Sequence, residues 1–157
     1  MKTLRYVLPA LVLLSTSSIA LGGDFQDGVD AANRGIYKTA YKVFSELAEQ
    51  GDARAQYNLG FMHLEGLGVS KDSKEAFKWF RLAAYQGYAD AQFHMGMMYF
   101  EGEVAPEDNV LAHMWFALSA ARGVESAVHH RKECEEKMSP SQIEQAQTMA
   151  MNWRPNK

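Results

Sequence analysis

Apolar residues recur along this chain at helical spacing, in paired segments. Between Ala53 and Glu65, the residues Ala55, Leu59 and Met62 follow a 0, 4, 7 spacing that predicts an amphipathic helix. A second stripe on the same segment consists of Tyr57, Phe61 and Leu64. Because this helix is apolar on more than one side, neighbouring helices must cover it from several directions.

A glycine-rich break and a second helix follow the first. Gly66 stands just past the last predicted turn, where glycine commonly ends a helix. Asp72 is a suitable N-cap for the next helix, which stops at Gly87. The apolar positions of this second helix are Ala76, Trp79, Phe80, Ala83 and Ala84. The pattern therefore predicts a helical hairpin.

The hairpin is repeated with an offset of 36 residues. The segment 51–56 returns as 87–92, and the later apolar positions return in the same order. The matching pairs are Gly60 and Gly96, Gly66 and Gly102, Ala76 and Ala112, Trp79 and Trp115, Phe80 and Phe116. A fixed period of this length is typical of a solenoid, which offers a curved surface rather than a closed pocket. Such a surface favours binding of a partner over catalysis.

One glycine falls inside the first helix of each of the two hairpins. Gly60 and Gly96 occupy the same repeat position, and each costs about 1 kcal/mol relative to alanine in a helix interior. A shared position indicates a shared cause, which we expect to be close approach of the partner helix. The small residues Ala76 and Ala112 are the predicted neighbours.

The remaining segments complete one all-α unit. Lys2, Arg5 and the apolar run that follows predict a signal peptide cleaved after Ala20. The alternative is a membrane anchor, but Pro9 and the serines that end the run leave it short of the roughly 20 apolar residues of a span. The predicted division is 1–20 signal peptide, 21–50 N-terminal helix pair, 51–86 and 87–122 repeats, and 123–157 a degenerate capping unit that ends with a helix after Ser139.

Charge and cysteine content narrow the class of partner. The chain has a net charge of −3, and loss of Lys2 and Arg5 makes the mature chain −3 − 2 = −5. A mildly acidic protein has no electrostatic attraction to nucleic acid or to an anionic membrane.

Cys134 is the single cysteine, so no internal disulfide forms. Since it occupies the repeat position of Met62 and Met98, we expect it to be a buried apolar filler.

The repeated residues resemble a known family. The segments 55–63, 66–69 and 74–79, then Ala83-Ala84 and Gly87, are similar to the Sel-one-like repeat (SLR) family, a relative of the tetratricopeptide repeat. A second copy runs from Ala91 to Gly123. The resemblance implies a right-handed α-solenoid of antiparallel helix pairs that mediates protein–protein interaction. We expect no cofactor.

The second copy departs from the first in its loop. Val104 and Ala105 replace the second glycine and the valine of the first loop, Gly68 and Val69. We therefore expect this connection to differ in shape. The third unit lacks the Leu-Gly pair of the family pattern, so we expect its geometry to differ while the fold is kept.

The family pattern implies a concave face lined by the first helix of each pair. The predicted partner-binding residues are Arg54, Tyr57, Phe61, Leu64, Asp90, Phe93, Met97 and Phe100. An aromatic and methionine groove with charged edges suits an extended peptide or an amphipathic helix. The alternative is that these side chains form the core between repeats, as aromatic stripes at helical spacing commonly do.

The histidines raise a metal hypothesis that the spacing does not favour. His130 and Cys134 lie four apart, but no His-Glu-x-x-His or paired Cys-x-x-Cys motif is present. No Gly-x-Ser-x-Gly motif indicates a nucleophile.

The predicted function is a non-enzymatic scaffold, exported and periplasmic, that binds a protein or peptide. The alternatives are an envelope hydrolase or metal-dependent enzyme, and a secreted factor that acts on a host.

Overall fold

The computed structural model describes residues 24–156, in which all regular structure is helical. The helices are α1 Phe25–Asn33, α2 Tyr37–Glu49, α3 Ala53–Glu65, α4 Ser73–Tyr85, α5 Ala89–Glu101, α6 Asn109–Ala120, α7 Glu125–Glu136 and α8 Pro140–Asn152. Each of the first six packs on the next along the chain, and α8 returns to pack on α6. The signal peptide predicted for residues 1–20 lies outside the described residues, and the predicted unit boundaries stay a prediction.

Several helices begin and end at residues typical of helix caps. Gly66 and Gly102 end α3 and α5 in the left-handed conformation, with φ of 71° and 69°. The side chains of Asp52, Asp72 and Asp108 accept hydrogen bonds from the first backbone amides of α3, α4 and α6. Local sequence therefore sets where these helices begin and end.

The helix-interior glycines do face the partner helix, but the predicted neighbours were wrong. A Cβ atom on Gly60 would lie 2.6 Å from the ring of Phe80, and one on Gly96 would lie 2.5 Å from the ring of Phe116. The closest atoms thus belong to large rings rather than to Ala76 or Ala112. Each glycine leaves room for the phenylalanine that fills the interior of its hairpin, because a ring needs more space than an alanine offers.

The N-terminal hairpin repeats this packing with a shorter connection. A Cβ atom on Gly28 of α1 would lie 2.6 Å from the ring of Phe44 in α2, as in the two later hairpins. Phe44, Phe80 and Phe116 are all buried. Three successive hairpins are therefore held by the same glycine and phenylalanine contact.

Glutamine side chains join one hairpin to the next. Gln56 donates from Nε2 to the carbonyl oxygen of Ala48 at 3.2 Å, and Gln92 donates to the carbonyl oxygen of Ala84 at the same distance. Both glutamines are buried. Because a buried amide without partners is costly, these bonds fix the register between α2 and α3 and between α4 and α5.

The C-terminal end closes the stack. Cys134 of α7 is fully buried beside Phe116, which agrees with its predicted role as a filler. Trp153, just after α8, lies edge-on to Trp115 at 6.3 Å between ring centroids. The backbone amide of Asn156 donates to the carbonyl oxygen of Tyr85 at 2.7 Å. The final segment therefore covers α6 and the end of α4.

Candidate functional site

Three of the predicted binding residues meet in one cleft. Leu64 of α3 and Phe93 and Met97 of α5 line a cavity of about 230 Å³. Its full lining consists of Leu64, Ser73, Phe93, His94, Met97, Met98, Glu101, Glu103 and Val104. We call this cavity the α3–α5 cleft. It lies between the two repeats, where the first helix of one faces the first helix of the next.

The wall of the cleft is largely apolar, and its charged residues are acidic. Leu64, Phe93 and Met97 are half-buried, so their side chains are partly free to contact a ligand. Glu101 and Glu103 are exposed, and they are the charged residues of the lining. Neither carboxylate forms an ion pair or a hydrogen bond with another described residue. The C-terminal end of α5 adds its own partial negative charge at this point.

Tyr57, another predicted binding residue, belongs to the packing between hairpins. Its ring lies 5.1 Å from that of Tyr88 and 5.8 Å from those of Phe80 and His94. Burial, helped by the charge of Asp90, raises the pKa of Tyr57 to about 12. These contacts favour the core interpretation at this position.

Phe61 and Phe100 differ in how much surface they offer. Phe61, one turn before Leu64 on α3, keeps 38% of its surface exposed, which is high for a phenylalanine. Phe100 packs at 6.4 Å from the ring of Phe116 and is covered by the Lys137 ammonium at 4.1 Å. Phe61 therefore remains a candidate contact, whereas Phe100 is occupied by its own neighbours.

The two charged candidates do not line the α3–α5 cleft. Arg54 pairs with Asp52 at 2.6 Å and lies over the ring of Phe25 at 4.3 Å. Asp90 is exposed near the start of α5. Both lie near the N-terminal ends of their helices, whereas the cleft lies toward the C-terminal ends. The site residues as a set stay a prediction.

His94 forms the floor of the cleft and is held by aromatic stacking. Its imidazole lies parallel to the ring of Phe80, with 4.5 Å between centroids and 4° between planes. Burial lowers the pKa of His94 below its usual 6.5, and the carboxylates of Asp90 and Glu65 oppose this only in part. The ring is therefore neutral at pH 7 and does not cancel the charge of the two glutamates.

The loops after the first helices of the two repeats differ in what they contact. In the first repeat, a Cβ atom on Gly68 would lie 2.6 Å from the carbonyl oxygen of Tyr37, so this loop packs directly on the start of α2. Gly68 has a φ of 71°, which a β-branched residue does not readily adopt. The second repeat has Val104 at this position and Ser73 at that of Tyr37, and both line the cleft.

Several lining residues escaped the sequence prediction. Ser73, His94, Met98 and Glu103 were not among the predicted contacts. Ser73 begins α4 and Glu103 lies in the loop, so neither belongs to the first-helix stripe that the prediction used. The replacement of Gly68 by Val104 was the one signal in the sequence that pointed to this loop.

The metal hypothesis concerned the histidine and cysteine side chains of α7. Within residues 24–156, no group of three or more His, Cys, Asp or Glu side chains is placed to hold a metal ion. His130 uses Nδ1 to contact the carbonyl oxygen of Ser126 at 2.9 Å. Burial raises the pKa of the Cys134 thiol to about 12, so the thiol stays protonated and is a poor metal ligand.

None of the described helices is long and apolar enough to cross a membrane.

The packed helix pairs define the architecture as an α-solenoid. Comparison with known proteins agrees with it. The family described as Sel1 repeat matches residues 53–88 and 89–124. The chain therefore contains two Sel1 repeats, which together span residues 53–124. Proteins of this repeat family are generally protein-interaction scaffolds and are typically non-catalytic. The chain matches none of the curated proteins with which it was compared.

Two solved structures resemble the chain. One is a protective antigen present in uropathogenic Escherichia coli strains that displays an SLR fold, with 33% identity, a TM-score of 0.72, and coverage of 81% of this chain and 30% of that one. The other is a Sel1 repeat protein from Oxalobacter formigenes, with 32% identity, a TM-score of 0.64, and coverage of 68% and 46%. The chain thus spans less than half the length of either relative.

Proposed function

We propose that this protein is a non-enzymatic scaffold of the cell envelope that holds a protein or peptide partner on the face lined by α3 and α5. The α3–α5 cleft carries the proposal, because it joins partly exposed apolar side chains of two repeats into one concave site. Phe61 extends this apolar surface along α3. Exposed aromatic and methionine side chains supply much of the binding energy at protein interfaces.

A rigid helical stack suits this role for an energetic reason. The helices are fixed by capped ends, by the glycine and phenylalanine contacts and by the glutamine bonds described above. A partner that binds to such a surface does not have to order it first, so less of the interaction energy is lost on association. An extended peptide or an amphipathic helix is the kind of partner that a row of spaced apolar side chains accommodates.

Site-specific crosslinking tests the binding face. A photoreactive phenylalanine analogue placed at Phe61 should capture a partner in cells. The same analogue at Leu82, which is 47% exposed on α4, should not. The captured protein, once purified, should bind the wild-type chain directly. Equal capture from both positions would count against a specific face.

A paired substitution tests the energetics of the same face. Phe61→Ser combined with Met97→Ser should weaken binding of the captured partner by at least about tenfold while leaving the helical circular dichroism unchanged. If the helical signal collapses instead, these side chains are core, and the proposed face is wrong.

An exported location is a separate part of the proposal. It rests on the charged and apolar residues that begin the chain, and the protective antigen among its relatives favours a second candidate, a secreted factor that contacts a host. Fractionation of cells that express a C-terminally tagged chain, with mass measurement of the mature form, tests both. Periplasmic material that begins near residue 21 supports the envelope scaffold, material in the medium supports the secreted factor, and uncleaved cytoplasmic protein contradicts both.

A further inference from the structure

The size of the α3–α5 cleft bears on what it can accept. At about 230 Å³ it is smaller than the range of roughly 300–1,000 Å³ typical of pockets that enclose a small molecule. It is suited to one large side chain of a longer ligand. Leu64, Phe93 and Met97 offer that side chain an apolar wall.

The charge at the cleft is of one sign. Glu101 and Glu103 stand at its edge without ionic partners among the described residues, and His94 on its floor is neutral. The C-terminal end of α5 contributes further negative potential. None of the described residues that line the cleft is a lysine or an arginine. A cation beside the inserted side chain would therefore meet two free carboxylates.

On the basis of the proposed function, we propose that the α3–α5 cleft recognises a peptide segment in which a large apolar side chain is followed, within two residues, by lysine or arginine. The apolar side chain enters between Leu64 and Met97, and the cation lies against Glu101 and Glu103. Val104 permits the site, because the glycine at its position in the first repeat brings the loop down onto the preceding helix.

Selection from a phage-displayed library of random peptides tests this specificity. The purified protein should enrich sequences that pair a large apolar residue with a nearby lysine or arginine. A synthetic peptide of the consensus should then bind about five- to tenfold more weakly to the Glu101→Gln, Glu103→Gln double variant, and more weakly at high salt. The matched control is Glu49→Gln with Glu144→Gln, which makes the same change of net charge at exposed positions away from the cleft and should bind normally.

A double-mutant cycle assigns the contact. Replacement of the peptide's lysine or arginine by glutamine should weaken binding to the wild-type protein but have little further effect on the Glu101→Gln, Glu103→Gln variant. Val104→Gly should also weaken binding, because the loop can then adopt the conformation of the first repeat. Unchanged melting temperatures would confirm that the variants remain folded.

The outcomes separate this inference from the proposed function. Selected peptides that bind but lack a basic residue, or that bind the double variant as well as the wild type, overturn the cleft specificity. If their binding still depends on Phe61 and Met97, the proposed binding face stands. Failure to enrich any peptide, together with no crosslinked partner from Phe61, overturns both.

Discussion

The two central repeats share one scaffold and differ in one loop. Gly60 and Phe80 in residues 53–88 have the same contact as Gly96 and Phe116 in residues 89–124. The glutamine bonds between hairpins are also alike. The loop that follows the first helix is packed on α2 in the first repeat and borders the α3–α5 cleft in the second.

This difference shows how a repeat protein can gain a site without losing its packing. The shared positions lie where neighbouring helices touch, so a change there would disturb the whole stack. A loop position has fewer neighbours and tolerates change. The exchange of glycine for Val104 alters the surface while the glycine and phenylalanine contacts remain.

The largest expected effect comes from the shared scaffold. Gly60→Leu and Gly96→Leu should each lower the free energy of unfolding by about 2–3 kcal/mol, because the new side chain meets a phenylalanine ring that has no room to move. Urea denaturation measures the change. Asn58→Leu, at a half-buried position of α3, is the control and should have a much smaller effect. Clearly unequal losses at the two glycines would contradict a common scaffold.

A smaller effect should separate the two loops. Gly68→Ala should lower the free energy of unfolding by about 1–2 kcal/mol, since its Cβ atom would meet the Tyr37 carbonyl oxygen at a left-handed φ. Val104→Ala in the second repeat should change it by no more than about 0.5 kcal/mol. Thermal melts of both variants measure the difference. Equal effects would mean that the two loops are packed alike.

The smallest effect concerns the pH dependence of the second repeat. Because burial depresses the pKa of His94, the folded protein binds this proton less tightly than the unfolded chain. The contribution of His94 to stability is therefore complete above pH 6.5 and is lost as the pH falls from that value through the lowered pKa. His94→Asn, which installs the residue of the first repeat, should reduce the drop in melting temperature between about pH 7.5 and about pH 5. An unaltered drop would contradict the buried, neutral histidine.

Much of the fold could be predicted because its signals are local. Periodic apolar residues, capping aspartates and helix-ending glycines each act within a few residues of their own position, and the predicted bounds of α3 agree with the structure. The neighbour of Gly60 was predicted incorrectly, since the ring that reaches it is 20 residues away and its direction depends on the packing of α4.

The candidate site was less accessible from sequence. The helical stripe pointed to Leu64, Phe93 and Met97, which do line the cleft. The same stripe included Tyr57, which packs against three rings of neighbouring helices. Periodicity identifies the apolar side of a helix, but it does not distinguish the part that a neighbour covers from the part that stays open.

The helices, their capped ends, the 36-residue period and the class of repeat could be predicted from sequence, because each is a pattern of residue types along the chain. Tertiary structure alone decided which apolar residues are covered, which carboxylates stay without a partner, and that a cleft opens beside Val104. These properties depend on distances between residues of different hairpins. Such distances are set only when the whole stack has packed.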